Sequence, residues 1–240
     1  MRLDKFLSMM GCCSRSEAKK AIREKKILIN EATAQAADVQ IDPDNDKITF
    51  CGKRIIYQQY KYIMLNKPDG VVSATDDPRE KTVIDLIEGE ERRHKMFPCG
   101  RLDKNTLGLM LLTDDGDLAH ELLSPKHHVN KKYYFKAEKE IAVAEIMQFE
   151  NGLTLDDGYV TLPAKIELFD NKTEGIITLT EGKYHQIKRM LVAIDNKITY
   201  LERISFGPLE LDTSLARGEW RYLTEEEIKL LREHKKTRKQ

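Results

Sequence analysis

Arg101 and Asp103 bracket a leucine in GRLDKNTLGLMLLTDDG, residues 100–116, directly before a run apolar enough to be buried. Asp103 is thus a carboxylate at the edge of a core. It can act as a base or a nucleophile only while ionised, and burial alone raises a carboxylate pKa by up to about 3–5 units from near 3.9. A cation has to hold it charged. The candidates are Arg101 and the basic residues of EGKYHQIKRM, 181–190, where Lys188 falls one helical turn after Tyr184 on the same face. The plainer reading is a surface turn in which Asp103 pairs with Arg101. The apolar flanks FPCG and TLGLMLL oppose it.

Other chemistries find less support. His127 and His128 are adjacent, and no H-x-x-x-H or Cys/His spacing suits zinc, so no metal site is expected. No phosphate-binding glycine loop and no G-x-S-x-G turn is present. A hydrolase built on two carboxylates lacks a second well-placed acid. Cys12, Cys13, Cys51 and Cys99 form no C-x-x-C pair and read as free thiols of a reducing cytoplasm.

A chain of 240 residues, 40% hydrophobic and 33% charged, is expected to be globular with room for two domains. No apolar run approaches the ~18 residues of a membrane span, and the start, MRLDKFLSMMGCC, is unlike a signal peptide. The 40 basic and 40 acidic residues cancel, but unevenly. Residues 1–30 gather Arg2, Lys5, Arg15, Lys19, Lys20, Arg23, Lys25 and Lys26 against three acids, and the tail from Lys229 is also basic. A basic face of that kind attracts a phosphate backbone without reading its sequence.

The elements that would position these groups follow from periodicity. Leu3, Phe6, Leu7 and Met10 make a helical stripe that Gly11 ends. Ser14 and Glu17 form a capping box for a second helix, with Ala18, Ala21 and Ile22 inward and Lys19, Lys20, Arg23 and Lys26 outward. ILIN (27–30) and ITFCG are short strands, separated by the turn cluster DPDNDK. YKYIMLNKPDGVVSAT (60–75) predicts strand, turn and second strand, and TVIDLI (82–87) a short helix. LGLMLLT (107–113) predicts a strand covered on both faces. Helices are expected at 117–125, 184–194 and 224–236, and strands at 131–138 and 175–182.

Taken together, MRLDKFLSMMGCCSRSEAKKAIREKKILIN resembles the S4 RNA-binding domain, with helix, S-R-S/T-x-A turn, second helix and V-x-V-N strand in order. Lys26 and Glu31 stand where that family usually has glycine. GRLDKNTLGLMLLTDDG, KKYYF and EGKYHQIKRM, flanked by LNKPDGVVSATDDP and GPLELDTSLARGEWRYLTEEEI, resemble the pseudouridine synthases of the RsuA/RluB type. YHQIKRM and SPKHHVNKKYY are more similar to the small-subunit branch; large-subunit enzymes more often carry N-R-Q in place of Tyr184-His185-Gln186. Ser205 replaces a frequent arginine, and Cys99 a small aliphatic.

The resemblance implies an α+β chain. An S4-like domain of two helices and short strands (1–58) would precede a catalytic domain (59–240) with a mixed, mostly antiparallel sheet flanked by helices and a basic tail. It implies an isomerase that breaks the uridine N1–C1′ bond, turns the uracil and rejoins it through C5, with no cofactor. The flipped-out target would be a specific uridine of 16S rRNA, of the position-516 type. The partner would be rRNA or the assembling 30S subunit, with no membrane involved, and the protein a cytoplasmic monomer. By the same resemblance Asp103 is the catalytic carboxylate, Tyr133 the aromatic platform and Lys188 the buried cation. Asp103 would act at C2′, C1′ or C6, and Arg101 would help open the site. Tyr184, His185, Gln186 and Arg189 would contact RNA, as would Arg2, Lys5, Arg15, Lys19, Lys20 and Arg23 in the first domain. The alternatives are a 23S rRNA enzyme of the same family and a non-catalytic RNA-binding protein; the latter predicts loss of Asp103 or its partners, and all are present.

Overall fold

The computed structural model describes residues 1–55, 57, 59–88 and 95–236, and the chain divides into two compact units, Met1–Gln59 and Tyr60–Gln240. The end of the basic tail, 237–240, lies outside the described residues.

In the first unit α1 (Leu3–Met9) and α2 (Arg15–Arg23) pack on a sheet of β1 (Ile27–Ile29), β2 (Ala32–Thr33), β3 (Ile48–Phe50) and β4 (Lys53–Ile55), in the antiparallel order β2-β1-β3-β4. Leu3, Phe6 and Leu7 sit at helical spacing and are buried against Ala18, Ala21, Ile27 and Ile48. Ser14 caps α2 as expected: the Glu17 N–H donates to its hydroxyl, and its own N–H donates to the Glu17 carboxylate at 2.8 Å. Lys26 is not the residue that turns the chain after α2. The helix ends at Arg23, and Lys25, one position earlier than expected, takes the left-handed conformation at φ 55°. Asn30 and Glu31 are both left-handed (φ 48° and 73°) and form the two-residue loop between β1 and β2, the backbone of a type I′ hairpin turn. Asn30 is held there by the Lys47 N–H donating to its amide oxygen (2.8 Å) and by its own donation to Asp46 (2.7 Å).

The second unit is built on one large sheet. Its strands are β5 (Tyr62–Lys67), β6 (Phe97–Pro98), β7 (Leu107–Thr113), β8 (Lys131–Ala137), β9 (Lys165–Leu168), β10 (Glu174–Leu179), β11 (Ile198–Phe206), β12 (Leu209–Glu210) and β13 (Trp220–Tyr222). The spatial order is β13-β5-β7-β11-β8-β10-β9, with β6 added beside β7 and β12 beside β11. Every pairing is antiparallel except β7 with β11, so the sheet is mixed and mostly antiparallel. Helices α3 (Gly116–Leu123), α4 (Val143–Asn151), α5 (Gln186–Ala193) and α6 (Glu225–Lys236) complete the unit, which makes the whole chain α+β.

β5 and β7 are buried on both faces, and their alternation divides the interior into two cores. Ile63, Leu65, Met110 and Leu112 point to one, with Phe135, Ile187 and Met190. Tyr62, Met64, Leu109 and Leu111 point to the other, with Leu118, Leu122 and Phe206. Each such side chain contributes about 1.5–3 kcal/mol by leaving water. Gly108 is required where β7 runs parallel to β11: its φ is 95°, and a Cβ there would lie 2.3 Å from the Arg203 carbonyl oxygen.

Two expected elements differ. Residues 71–75 make a single bridge, Val72 to Thr82, and no strand, because the Ala74 N–H turns back onto the Val72 carbonyl at 3.0 Å and breaks the extended backbone. The helix expected at 82–87 is one tight turn, Ile84–Leu86, capped by reciprocal hydrogen bonds between Thr82 and Asp85.

Candidate active site

The loop 100–106 leaves β6 and enters β7, and buried groups fix its shape. The Ser73 hydroxyl donates to the Leu102 carbonyl at 2.8 Å and accepts from the Leu102 N–H at 3.0 Å. The Thr106 N–H donates to the Asp103 carbonyl at 3.0 Å and closes a turn. Under that turn Lys67 is fully buried, and its ammonium donates to the carbonyls of Pro68 (3.1 Å), Lys104 (3.0 Å) and Thr106 (2.9 Å). An ammonium carries three N–H groups, so all are used. Burial pushes the Lys67 pKa down to about 8, against the pull of the Asp69 and Asp103 carboxylates.

Helix α5 supplies the facing charge. Its inner side buries Ile187, Met190 and Leu191, which sets the helix against the sheet and turns Lys188 toward the loop. The Lys188 Nζ lies 2.6 Å from Asp103 Oδ2 and 2.6 Å from Asn105 Oδ1. The Asp103 and Lys188 side chains are only 25% and 24% exposed, so the pair is shielded yet open to the cleft. His185 Nε2 stands 3.5 Å from the other carboxylate oxygen, Oδ1. His185 precedes α5 in the left-handed conformation, φ 51° and ψ 30°. That backbone costs a non-glycine residue roughly 1–2 kcal/mol, and such strain gathers at functional sites.

An open cleft lies between loop and helix, walled by Tyr133, Leu179 and Leu201. Tyr133 reaches it from β8, nearly buried, whereas Tyr134 points to the opposite face and hydrogen-bonds Glu174. Thr106 also lines the cleft, and its buried hydroxyl has no hydrogen-bond partner among the described residues.

Several residues expected to contact RNA are placed differently. Tyr184 is not on α5, which begins at Gln186; it stands outside the cleft, 76% exposed and stacked on the His185 ring. The Gln186 amide is buried and spent inside the fold, donating to Glu181 at 2.6 Å and accepting the Lys183 N–H at 2.9 Å. These bonds orient the loop, and Gln186 also borders the cleft. Arg189 is ion-paired with Asp156 and Asp157, so its charge is compensated within the chain. Arg101 lies at the rim, exposed, and makes no ion pair among the described residues; Lys188, not Arg101, neutralises Asp103. In the first unit Arg2 is held bidentately by the buried Asp4 carboxylate, at 3.1 and 2.8 Å, which keeps that carboxyl below the usual range. Lys5, Arg15, Lys19, Lys20 and Arg23 are exposed on the same unit. Arg2, Lys19 and Arg23 edge an open groove floored by Ala36 and Ala37. Ser205 is buried in β11 at an irregularity in its pairing with β8, away from any RNA-accessible surface. The Cys99 thiol is buried and pushed up to about 12, which leaves it unreactive.

Residues that sequence reasoning passed over are Lys67, Ser73, Asn105, Thr106 and Glu181. Asn105 and Thr106 were visible inside the motif. Lys67 was read only as part of a turn, and nothing local marks Glu181 as the buried acceptor of Tyr159 (2.7 Å), Leu162 (2.9 Å) and Gln186. Among the described residues no group of His, Cys, Asp or Glu is arranged to hold a metal ion.

Residues 61–193 match the family described as RNA pseudouridylate synthase, and residues 1–46 match the S4 domain. The chain belongs to the RNA pseudouridylate synthase family. This synthase is 46% identical over 236 residues to the uncharacterized RNA pseudouridine synthase YtzG of Bacillus subtilis, with 97% of this chain and 99% of that protein covered. It is 39% identical over 230 residues to ribosomal small subunit pseudouridine synthase A of Escherichia coli K12, covering 95% and 98%. A crystal structure of a pseudouridylate synthase superposes on it with a TM-score of 0.68 at 38% identity, covering 96% of this chain and 99% of that one. The synthase is accordingly an isomerase acting on RNA, of the RsuA family, with an S4 domain at its N-terminal end. In chemical terms its cleft offers one carboxylate held by an ammonium beside an aromatic wall.

Proposed function

We propose that this synthase isomerises a specific uridine of 16S rRNA, in free RNA or in an assembling small subunit, and does so in the cytoplasm as a monomer without a cofactor. The 39% identity over 95% of the chain to a small-subunit enzyme supports the choice of RNA. The single observation that carries the chemistry is the Lys188–Asp103 pair at 2.6 Å beside Tyr133 in the cleft.

The reaction breaks N1–C1′ and joins C5 to C1′; N1 gains a proton and C5 loses one, so product and substrate are isomers. Asp103 acts on the nucleoside from the sugar side. Every route open to a lone carboxylate there, as base toward C2′ or nucleophile toward C1′ or C6, needs it ionised. Lys188 provides that charge state and geometry; a shielded ion pair contributes little to folding after desolvation. Tyr133 takes the uracil face, a contact that returns about 1–3 kcal/mol toward the few kcal/mol of flipping. Residues 1–58 serve as the targeting domain and 59–240 as the catalytic domain.

The test is to incubate the purified protein with 16S and 23S transcripts and with small-subunit particles, then map pseudouridine chemically. One modified uridine in 16S rRNA is expected, and Asp103→Asn should bind RNA but form none. Modification confined to 23S rRNA would overturn the target, and full activity of Asp103→Asn would overturn the mechanism.

A further inference from the structure

Tyr184 is the most exposed tyrosine-sized side chain near the cleft, 76% open to solvent, yet it is not loose. Its ring lies on the His185 imidazole with centroids 3.8 Å apart and an interplanar angle of 20°. Neighbouring side chains point to opposite sides of a strand and diverge around a helix, so face-to-face contact between them needs an irregular backbone. The left-handed conformation of His185 provides it. His185 is in turn set against Asp103, at 3.5 Å. The Arg189 guanidinium, tied by Asp157 at 2.7 Å, donates to the Tyr184 carbonyl at 3.5 Å and braces the backbone. The result is a two-ring stack whose inner ring, His185, stands beside the carboxylate and whose outer ring, Tyr184, is open to solvent.

We propose that Tyr184 and His185 form a stacking subsite for the nucleobase next to the flipped uridine, a reading that rests on the function proposed above. The stack starts one side chain from Asp103, so a base on its outer face belongs to the adjoining nucleotide and not to the reacting one. An aromatic face accepts any base, and the exposed cation Arg101 at the same rim suits the connecting phosphate. The subsite keeps the flipped strand splayed by replacing the base–base stack that flipping destroys. It is a positioning device, and its effect falls on binding.

The experiment uses the full-length protein and a 16S rRNA fragment spanning the modified uridine, with 2-aminopurine placed on its 5′ or its 3′ side. On binding, the wild type quenches the fluorescence at one flank. Tyr184→Leu abolishes that quenching and raises KM about ten-fold, the size of one missing base stack, while Tyr184→Phe retains both. Quenching and KM unchanged in Tyr184→Leu, or no quenching at either flank by the wild type, would overturn the subsite. Absence of pseudouridine in the unlabelled fragment would count against the rRNA reading alone, because quenching reports binding whether or not the uridine isomerises.

Discussion

Asp103 and Lys188 are 85 residues apart and meet at 2.6 Å. At this scale the question is what each charge would do without the other. A shielded ammonium that loses its carboxylate can still turn to Asn105, but a shielded carboxylate that loses its ammonium drifts toward the protonated form. Removing Lys188 therefore damages chemistry more than folding. Lys188→Met is expected to lower single-turnover pseudouridine formation by ~100-fold or more, in the range seen for removal of charge-stabilising groups. RNA affinity by filter binding should stay within a few-fold. A normal single-turnover rate in that variant would remove the charge-setting role. His185 faces the other carboxylate oxygen, at the longer distance of 3.5 Å.

The loop that carries Asp103 behaves as an element in its own right, although it contains no regular structure. Ser73 holds one end and Lys67 the other, and both work through backbone carbonyls, so the loop keeps its shape without a ladder. Lys67 makes that shape pH-dependent. Its pKa is pushed down from 10.5 to about 8, so between those values the unfolded chain holds more protons than the native one. Unfolding free energy then rises with pH across the window: this group's contribution is fully present above 10.5 and is lost as pH falls through 8. The loop responds the opposite way, because a neutral amine has only two N–H groups for three carbonyls. Turnover is expected to decline above about pH 8, while the wild-type melting temperature rises relative to Lys67→Met over the same window. Parallel pH series of kcat and of thermal melts check both, and a flat melting difference would mean that Lys67 is not a buried ammonium.

For the whole molecule the balance of charge is the informative quantity. A chain with zero net charge binds RNA through local faces, and the first unit presents one. Lys19, Lys20 and Arg23 project from α2, whose other side buries Ala18 and Ala21, so the basic face follows from amphipathic packing. Replacing all three by alanine leaves the core of that unit untouched. Weaker RNA binding is expected at low salt, with the slope of log K against log salt reduced by roughly 0.7–0.9 for each phosphate that is no longer neutralised. An unchanged slope across a salt titration would take α2 out of the RNA interface.

The parts legible from sequence depended on near neighbours. The stripe Leu3, Phe6, Leu7 predicted α1, the Ser14–Glu17 box predicted the start of α2, and the unbroken apolar run of 107–113 predicted a strand with cores on both sides. Such features are set by side-chain period and by orphan N–H groups within a turn of the chain, which adjacent residues alone determine. The motif residues could likewise be named as chemistry. Residue types alone left Arg101 and the cations of 181–190 open as partners of Asp103, and only the family resemblance favoured Lys188. The packing of α5 is what brings that residue, 85 positions away, to the carboxylate. The same closure spent the buried Gln186 amide on Glu181, paired Arg189 with the exposed Asp156 and Asp157, and left 71–75 with a single bridge where a strand was expected. Composition and periodicity decided which segments are helix, strand and core. Tertiary structure decided which polar groups pair, because a hydrogen bond or ion pair needs its partner within about 3 Å, and that proximity comes from long-range packing.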